Sequence, residues 1–311
     1  MRQFKIRKGR QYKTFEITND NYNNALPIDE NERKKYSIST PEGMRQIAIC
    51  PSCENPIRLF GLVKPIERTS ATGKKTLVCA YGKHLEQDTE IADHDQMKYK
   101  YCPLASNYRS SNKEDKYDKP TDMNKEIYYS IRENFDTAIY ILSQSLGVWI
   151  DDKTARRILE KYLEFQGYMH VDSHYHNIPW MLFYLSGGVI NLWGARVIEG
   201  SKLHKYLSKQ KNVKLIPETR KNGKATDYRV VENGSFLRAS IAFGTKKVTI
   251  DNKGNIKEVY YLDYSSNTWD RETVEKIEID NDWYNRTIFS TRRSRNTRLL
   301  AIAEELMPDL E

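Results

Sequence analysis

The sequence predicts an α+β protein, and three observations carry that reading. All four cysteines lie at or before position 102, which marks a cysteine-bearing module towards the N-terminal end. Between residues 122 and 210, apolar side chains recur every three to four positions, the period of a helix with one buried face. From Val213 onward the period falls to two and short turn sequences separate the runs, as in antiparallel strands. A last stretch of helical period, 295–307, closes the C-terminal sheet.

In chain order, residues 1–45 read as a basic arm followed by a polar segment around Asn19–Asn24, and residues 46–106 as the cysteine module. Residues 107–120 offer almost nothing apolar to bury and read as a linker to an α+β domain spanning 121–311. Thr121 or Asp122 is placed to cap a helix with Ile127, Ile131, Phe135 and Leu142 on one face, and Gly147 ends it. A second helix runs from Asp151 or Asp152 to Gln166 and stops at Gly167, a third and mostly buried one covers Ile178–Leu185, and a short basic one covers Lys202–Gln210. The first two could form a helix-turn-helix, with Lys153, Arg156, Arg157 and Lys161 on the polar side of the second. Strands are expected within 213–280, at Tyr228–Val231, Phe236–Ile241, Lys247–Ile250 and Ile256–Leu262. Asn222-Gly223, Asn233-Gly234 and residues 251–254 supply the turns.

Composition narrows the class. The 21 tyrosines and five tryptophans among 311 residues exclude a disordered chain, which is poor in aromatics. No apolar core of a signal peptide follows the charged start. The most apolar stretch, Ile178–Trp193, falls short of the roughly 20 residues a membrane span requires. A cytoplasmic protein without a membrane partner is therefore expected, in a reducing compartment where clustered thiols hold metal more often than they pair as disulfides.

Cys50-Pro51-Ser52-Cys53 is a C-x-x-C knuckle, which turns two thiolates towards one tetrahedral ion. Cys102 supplies a third ligand, and either Cys79 or His84 completes the set. Flanking Pro51 and Pro56 argue for a loop rather than the helix start of a redox pair. Four protein ligands leave no open position, so the zinc expected here is structural.

Three segments, Cys50–Ile57, Tyr81–His84 and Tyr101–Ala105, resemble a group of bacterial zinc-ribbon proteins of unknown function over about residues 45–108. The resemblance implies a zinc-ribbon-like module at 46–106 with Cys50, Cys53, His84 and Cys102 as ligands, Cys79 being the weaker alternative. It also implies a setting in bacterial mobile elements or phage conflict.

The formal charge of +8 favours an acidic partner such as nucleic acid, DNA or RNA. Two clusters could supply the contacts: Arg7, Lys8 and Arg10 near the start, and Arg292, Arg293, Arg295 and Arg298 near the end. Arginine forks match phosphate oxygens, and the neighbouring Tyr12, Phe15, Trp283 and Tyr284 offer surfaces for bases. The leading expectation is a zinc-containing, non-enzymatic nucleic-acid-binding protein. One alternative is a metal-dependent nuclease or other hydrolase, drawing on His170, Asp172, His174 and His176 or on Glu258, Asp263 and Asp270. The other is a protein-interaction adaptor with a protein partner. Phosphate loops, nucleophile elbows and dinucleotide fingerprints are absent from the sequence.

Overall fold

The computed structural model describes residues 1–9, 12–41, 43–64, 66–69, 75–106, 108, 110–211, 213–220, 222–233, 239–251, 256–266, 271–280, 283–290 and 294–310. The fold is α+β, with antiparallel sheets, a helical middle and a C-terminal helix. The chain forms two compact units: Met1–Asn112 with Val248–Lys257, and Lys113–Lys247 with Glu258–Glu311.

The first unit is built on a four-stranded sheet, order β3-β4-β5-β8, from β3 (Ser37–Thr40), β4 (Gly43–Ile49), β5 (Pro56–Phe60) and β8 (Tyr81–His84). Two-stranded pairs join β1 (Gln3–Phe4) to β2 (Phe15–Glu16) and β6 (Ile66–Thr69) to β7 (Lys75–Val78). The helices are α1 (Asn19–Ala25), α2 (Glu30–Lys34) and α3 (Gln96–Lys100), capped by Thr18, Asp29 and Asp95. The described residues of the expected arm, 1–9, 12–41 and 43–45, thus contribute strands and helices to this unit. Phe4, Ile6, Ile17, Tyr22 and Tyr36 are buried with Ala48, Ile57 and Leu59, and the Tyr22 hydroxyl donates to the carbonyls of Tyr36 and Ile47. Scattered singly among charges, those five side chains show no period in the sequence, yet each reaches the same core.

In the second unit, α4 (Asp122–Leu146) is capped by Thr121, whose side chain accepts from the Asn124 backbone while Asn124 reaches back. It bends at Asn134 and ends on Gly147, which sits in the left-handed region at φ +69. The helix α5 (Asp152–Glu164) starts on Asp151, and the left-handed residue after it is Gln166, one before the expected glycine. Then follow α6 (Ile178–Leu185), with Pro179 in its first turn, and α7 (Lys202–Leu207), capped by Ser201. The helices α8 (Trp283–Ile288) and α9 (Thr297–Leu306) complete the set.

Two short strands, β9 (Val189–Asn191) and β10 (Arg196–Ile198), interrupt the stretch expected to be helical to residue 210. A three-stranded sheet orders β10-β12-β11, with β11 (Val213–Thr219) and β12 (Ala225–Asn233). A second sheet orders β15-β14-β13-β9, from β13 (Ser240–Ile250), β14 (Ile256–Ser265) and β15 (Arg271–Glu278). The two strands expected on either side of residues 242–246 are therefore one, and residues 234–238 lie outside the described residues. Between helices and sheets, Phe135, Leu142, Trp180, Phe183, Ile241 and Tyr260 share a continuous core. No helix among the described residues is long and apolar enough to cross a membrane.

Candidate metal centre

The β4–β5 turn positions the first two ligands. The Cys50 amide donates to the Asn55 carbonyl at 2.9 Å and the Glu54 amide to the Cys50 carbonyl at 3.1 Å. Glu54 takes the left-handed conformation at φ +60, which folds Cys53 back over Cys50. Asn55, buried, locks this knuckle to the segment carrying the next ligand. Its side chain donates to the Asp95 carbonyl at 2.9 Å and accepts from the Asp95 amide at 2.8 Å. Asp95 caps α3, and Cys102 follows that helix directly, its amide donating to the Tyr99 carbonyl at 3.1 Å.

The fourth group comes from the sheet. His84 ends β8, opposite Ile57 of β5, which brings its ring to the open side of the knuckle. Cys53 Sγ and His84 Nε2 are 3.2 Å apart, Cys50 Sγ and Cys102 Sγ are 3.7 Å apart, and all four ligand atoms lie within 4.8 Å of one another. Among the described residues no other set of three or more Cys, His, Asp or Glu side chains converges in this way. Cys79 is exposed and stands outside the cluster, so His84 is the fourth member.

The electrostatics suit a cation. Burial pushes the Cys50 and Cys53 thiols up, because it disfavours the thiolate. Hydrogen bonds from Cys50 and Cys53 pull the Cys102 thiol well down, since they favour its ionised form. Three thiols thus share one buried site, and hydrogen bonding sets Cys102 apart from the other two. A bound cation would favour the thiolate form of all three.

The proposed phosphate-binding arginines fare differently. Arg7 lies 5.7 Å over the Tyr12 ring, and its guanidinium is held above its ordinary value by a hydrogen bond with that tyrosine. Lys8 approaches Asp93 at 3.7 Å. Arg295 is not a free surface cation. It grips Asp136, whose side chain is 0% exposed, with Nε at 3.0 Å and Nη2 at 2.9 Å, and donates to the Glu133 carbonyl at 2.6 Å. Arg298 is 85% exposed, 3.9 Å from Asp152. Arg10, Arg292 and Arg293 lie outside the described residues. On α5, Arg156 is taken up by Glu305 of α9, which removes it from any base-reading surface.

Of the alternative enzymatic residues, Asp172, His174 and Glu258 meet around Lys246. His174 Nε2 meets the Glu258 carboxylate, and Lys246 Nζ lies 2.7 Å from Asp172 and 3.8 Å from Glu258. Burial opposes ionisation of Glu258, but the charges of His174 and Lys246 outweigh it and hold the carboxyl at about 2. Asp263 pairs with Arg271 at 2.6 Å, and Asp270 lies outside the described residues. Asp172, Glu258 and Asp263 are thus each paired with a cation. Lys246 had no sequence signal, since it meets Asp172 across 74 positions of chain.

The basic character expected of the helix at Lys202–Gln210 extends beyond it in the sequence. Residues 202–224 carry eight lysines and arginines against one acid, Glu218. Comparison with protein-family models, with curated proteins and with solved structures finds no match to the chain.

Proposed function

We propose that the chain is a zinc-containing, non-enzymatic nucleic-acid-binding protein in which zinc is a folding element. The observation that carries the zinc is the converged Cys50, Cys53, His84 and Cys102 set. A tetrahedron with bonds of about 2.3 Å has edges of about 3.8 Å, close to the 3.7 Å between Cys50 Sγ and Cys102 Sγ. Three thiolates and an imidazole suit zinc over magnesium or calcium, which take oxygen ligands. With four protein ligands no position stays open for water, so the ion would add folding energy, on the order of 10 kcal/mol, rather than chemistry.

Nucleic acid follows from charge. An excess of +8 and a surface run of unneutralised lysines fit a polyanion bound by counter-ion release. Metal analysis of protein purified without chelator tests the first half, with about one zinc per chain expected. Well-folded protein containing no metal would end that half. Binding of labelled DNA and RNA across a salt series tests the second, with affinity expected to fall steeply as salt rises. No binding at low salt removes it.

A further inference from the structure

We propose that the outer face of the β10-β12-β11 sheet is a platform for single-stranded nucleic acid. On it Trp149 and Tyr228 stack bases, and the lysine-rich segment running from α7 to β12 carries the phosphates. The proposal rests on the nucleic-acid reading above and gives that reading a place.

Strand register divides the sheet into two faces. Cross-strand partners share a face, so Val197, Leu215 and Val231, buried or packed against the core, form the inner one. Arg196, Lys214, Ile216, Tyr228, Val230 and Glu232 form the outer one, with Glu232 opposite Lys214. Trp149, from the turn between α4 and α5, donates its backbone N–H to the Arg196 carbonyl at 2.8 Å and lays its ring against this face.

The rings are already oriented. Trp149 meets Tyr228 edge-on at 5.9 Å between centroids and stays 42% exposed. The Arg196 guanidinium lies 5.5 Å from the Trp149 ring and 4.8 Å from that of Tyr228. Glu218 holds the guanidinium there at 2.7 Å and itself accepts from Thr226 at 2.8 Å. The part-exposed Trp149 ring, with Tyr228 and a fixed guanidinium beside it, suits the faces of unpaired bases, which a duplex hides within its stack. The ordering cost on binding is small, because these side chains are held before any ligand arrives.

The phosphate track adjoins the rings. Lys205, Lys209, Lys211, Lys214, Arg220 and Lys224 are all exposed. Within 202–224, Lys202 alone pairs with an acid among the described residues, with Glu275 at 2.7 Å. Lys214 shares the outer face, and Lys224, the residue just before β12, precedes Tyr228 by about 13 Å of extended chain, a span of two or three nucleotides. An acidic protein could use the same cations, so polyglutamate stands beside the strands in the test.

The test uses the intact, metal-loaded chain with labelled oligothymidylate and oligouridylate of about 15 nucleotides, a matching duplex, and polyglutamate. Anisotropy and quenching of tryptophan emission are read together. Single strands are expected to bind more tightly than duplex and to quench emission. Trp149→Ala should weaken single-strand binding about tenfold, with Trp149→Phe restoring most of it. Replacing Lys209, Lys211, Arg220 and Lys224 by Gln should lower the slope of log affinity against log salt by about 3. All five positions lie at the surface, so circular dichroism should match the parent.

Duplex binding as tight as single strand, with Trp149→Ala neutral, overturns the platform and leaves nucleic-acid binding standing. Polyglutamate bound as tightly as the strands overturns it in favour of charge alone. Failure of every strand to bind at low salt overturns this proposal and the reading beneath it together.

Discussion

Asp136 shows how far a side chain's role depends on its partner. Its carboxylate is fully buried, with the Arg295 guanidinium at 2.9 Å and the Asn296 amide at 3.0 Å as donors. Arg295→Ala leaves that charge stranded and should cost about 3 kcal/mol in chemical denaturation. Its effect on nucleic-acid affinity should be small. The sequence suggested the opposite, because an arginine-rich stretch looks alike whether its members face solvent or a carboxylate 159 positions away. Asn55→Ala removes both bonds to Asp95 and should lower stability by about 1–3 kcal/mol while loosening the metal site. Glu258 gives a pH signature. Its folded value, about 2, lies below its ordinary one, so its stabilisation is present above pH ~4.5 and is lost as pH falls towards 2. Glu258→Gln should therefore flatten that part of the stability–pH curve.

At the scale of elements, what was legible tracks length and capping. Long helices with a buried face, α4 and α5, carry several turns of period and bounded caps, and both were readable to within a residue or two. Strands of two or three residues such as β9 and β10 cannot establish a period, so they dissolved into the helical stretch around them. Gly244 explains the split of β13 in the sequence reading, since a strand seldom tolerates glycine in its interior. There a Cβ would stand 1.9 Å from an Asp263 carboxylate oxygen and 2.5 Å from the Arg271 guanidinium, so a larger residue would displace that ion pair. Gly147 is required twice over, by φ +69 and by Ser201 Oγ, which would lie 2.7 Å from a Cβ. Gly147→Ala should destabilise the second unit by more than about 1 kcal/mol, read as a lower melting temperature.

At the scale of the molecule, the candidate metal cluster and the large core lie in different units. The ligands all belong to the first unit, whereas α4, α5 and the continuous core belong to the second. A strong chelator should abolish the ordered tyrosine environment around Tyr22 and Tyr36 while the helical far-UV signal of α4 and α5 persists. Loss of both signals together would mean that the units melt as one. Cys50 and Cys53 were legible as part of the cluster because a C-x-x-C knuckle in a loop brings two thiols together. The choice between His84 and Cys79 was not, because it depends on which residue the β5–β8 register sets against the knuckle. The surface at Trp149 was invisible for a related reason. It is assembled from a turn and three strands that meet only in the folded chain.

The exposed Cys79, set apart from three buried cysteines, gives the protein a built-in gauge of its own loading. With the ion in place, one thiol should react quickly with a colorimetric reagent and three should stay silent. Stripping the ion should release all four, so a count of fast thiols measures occupancy without any assay of activity. The same asymmetry makes Cys79 a natural point of attachment for a single dye, provided that labelling is done before any chelator is added.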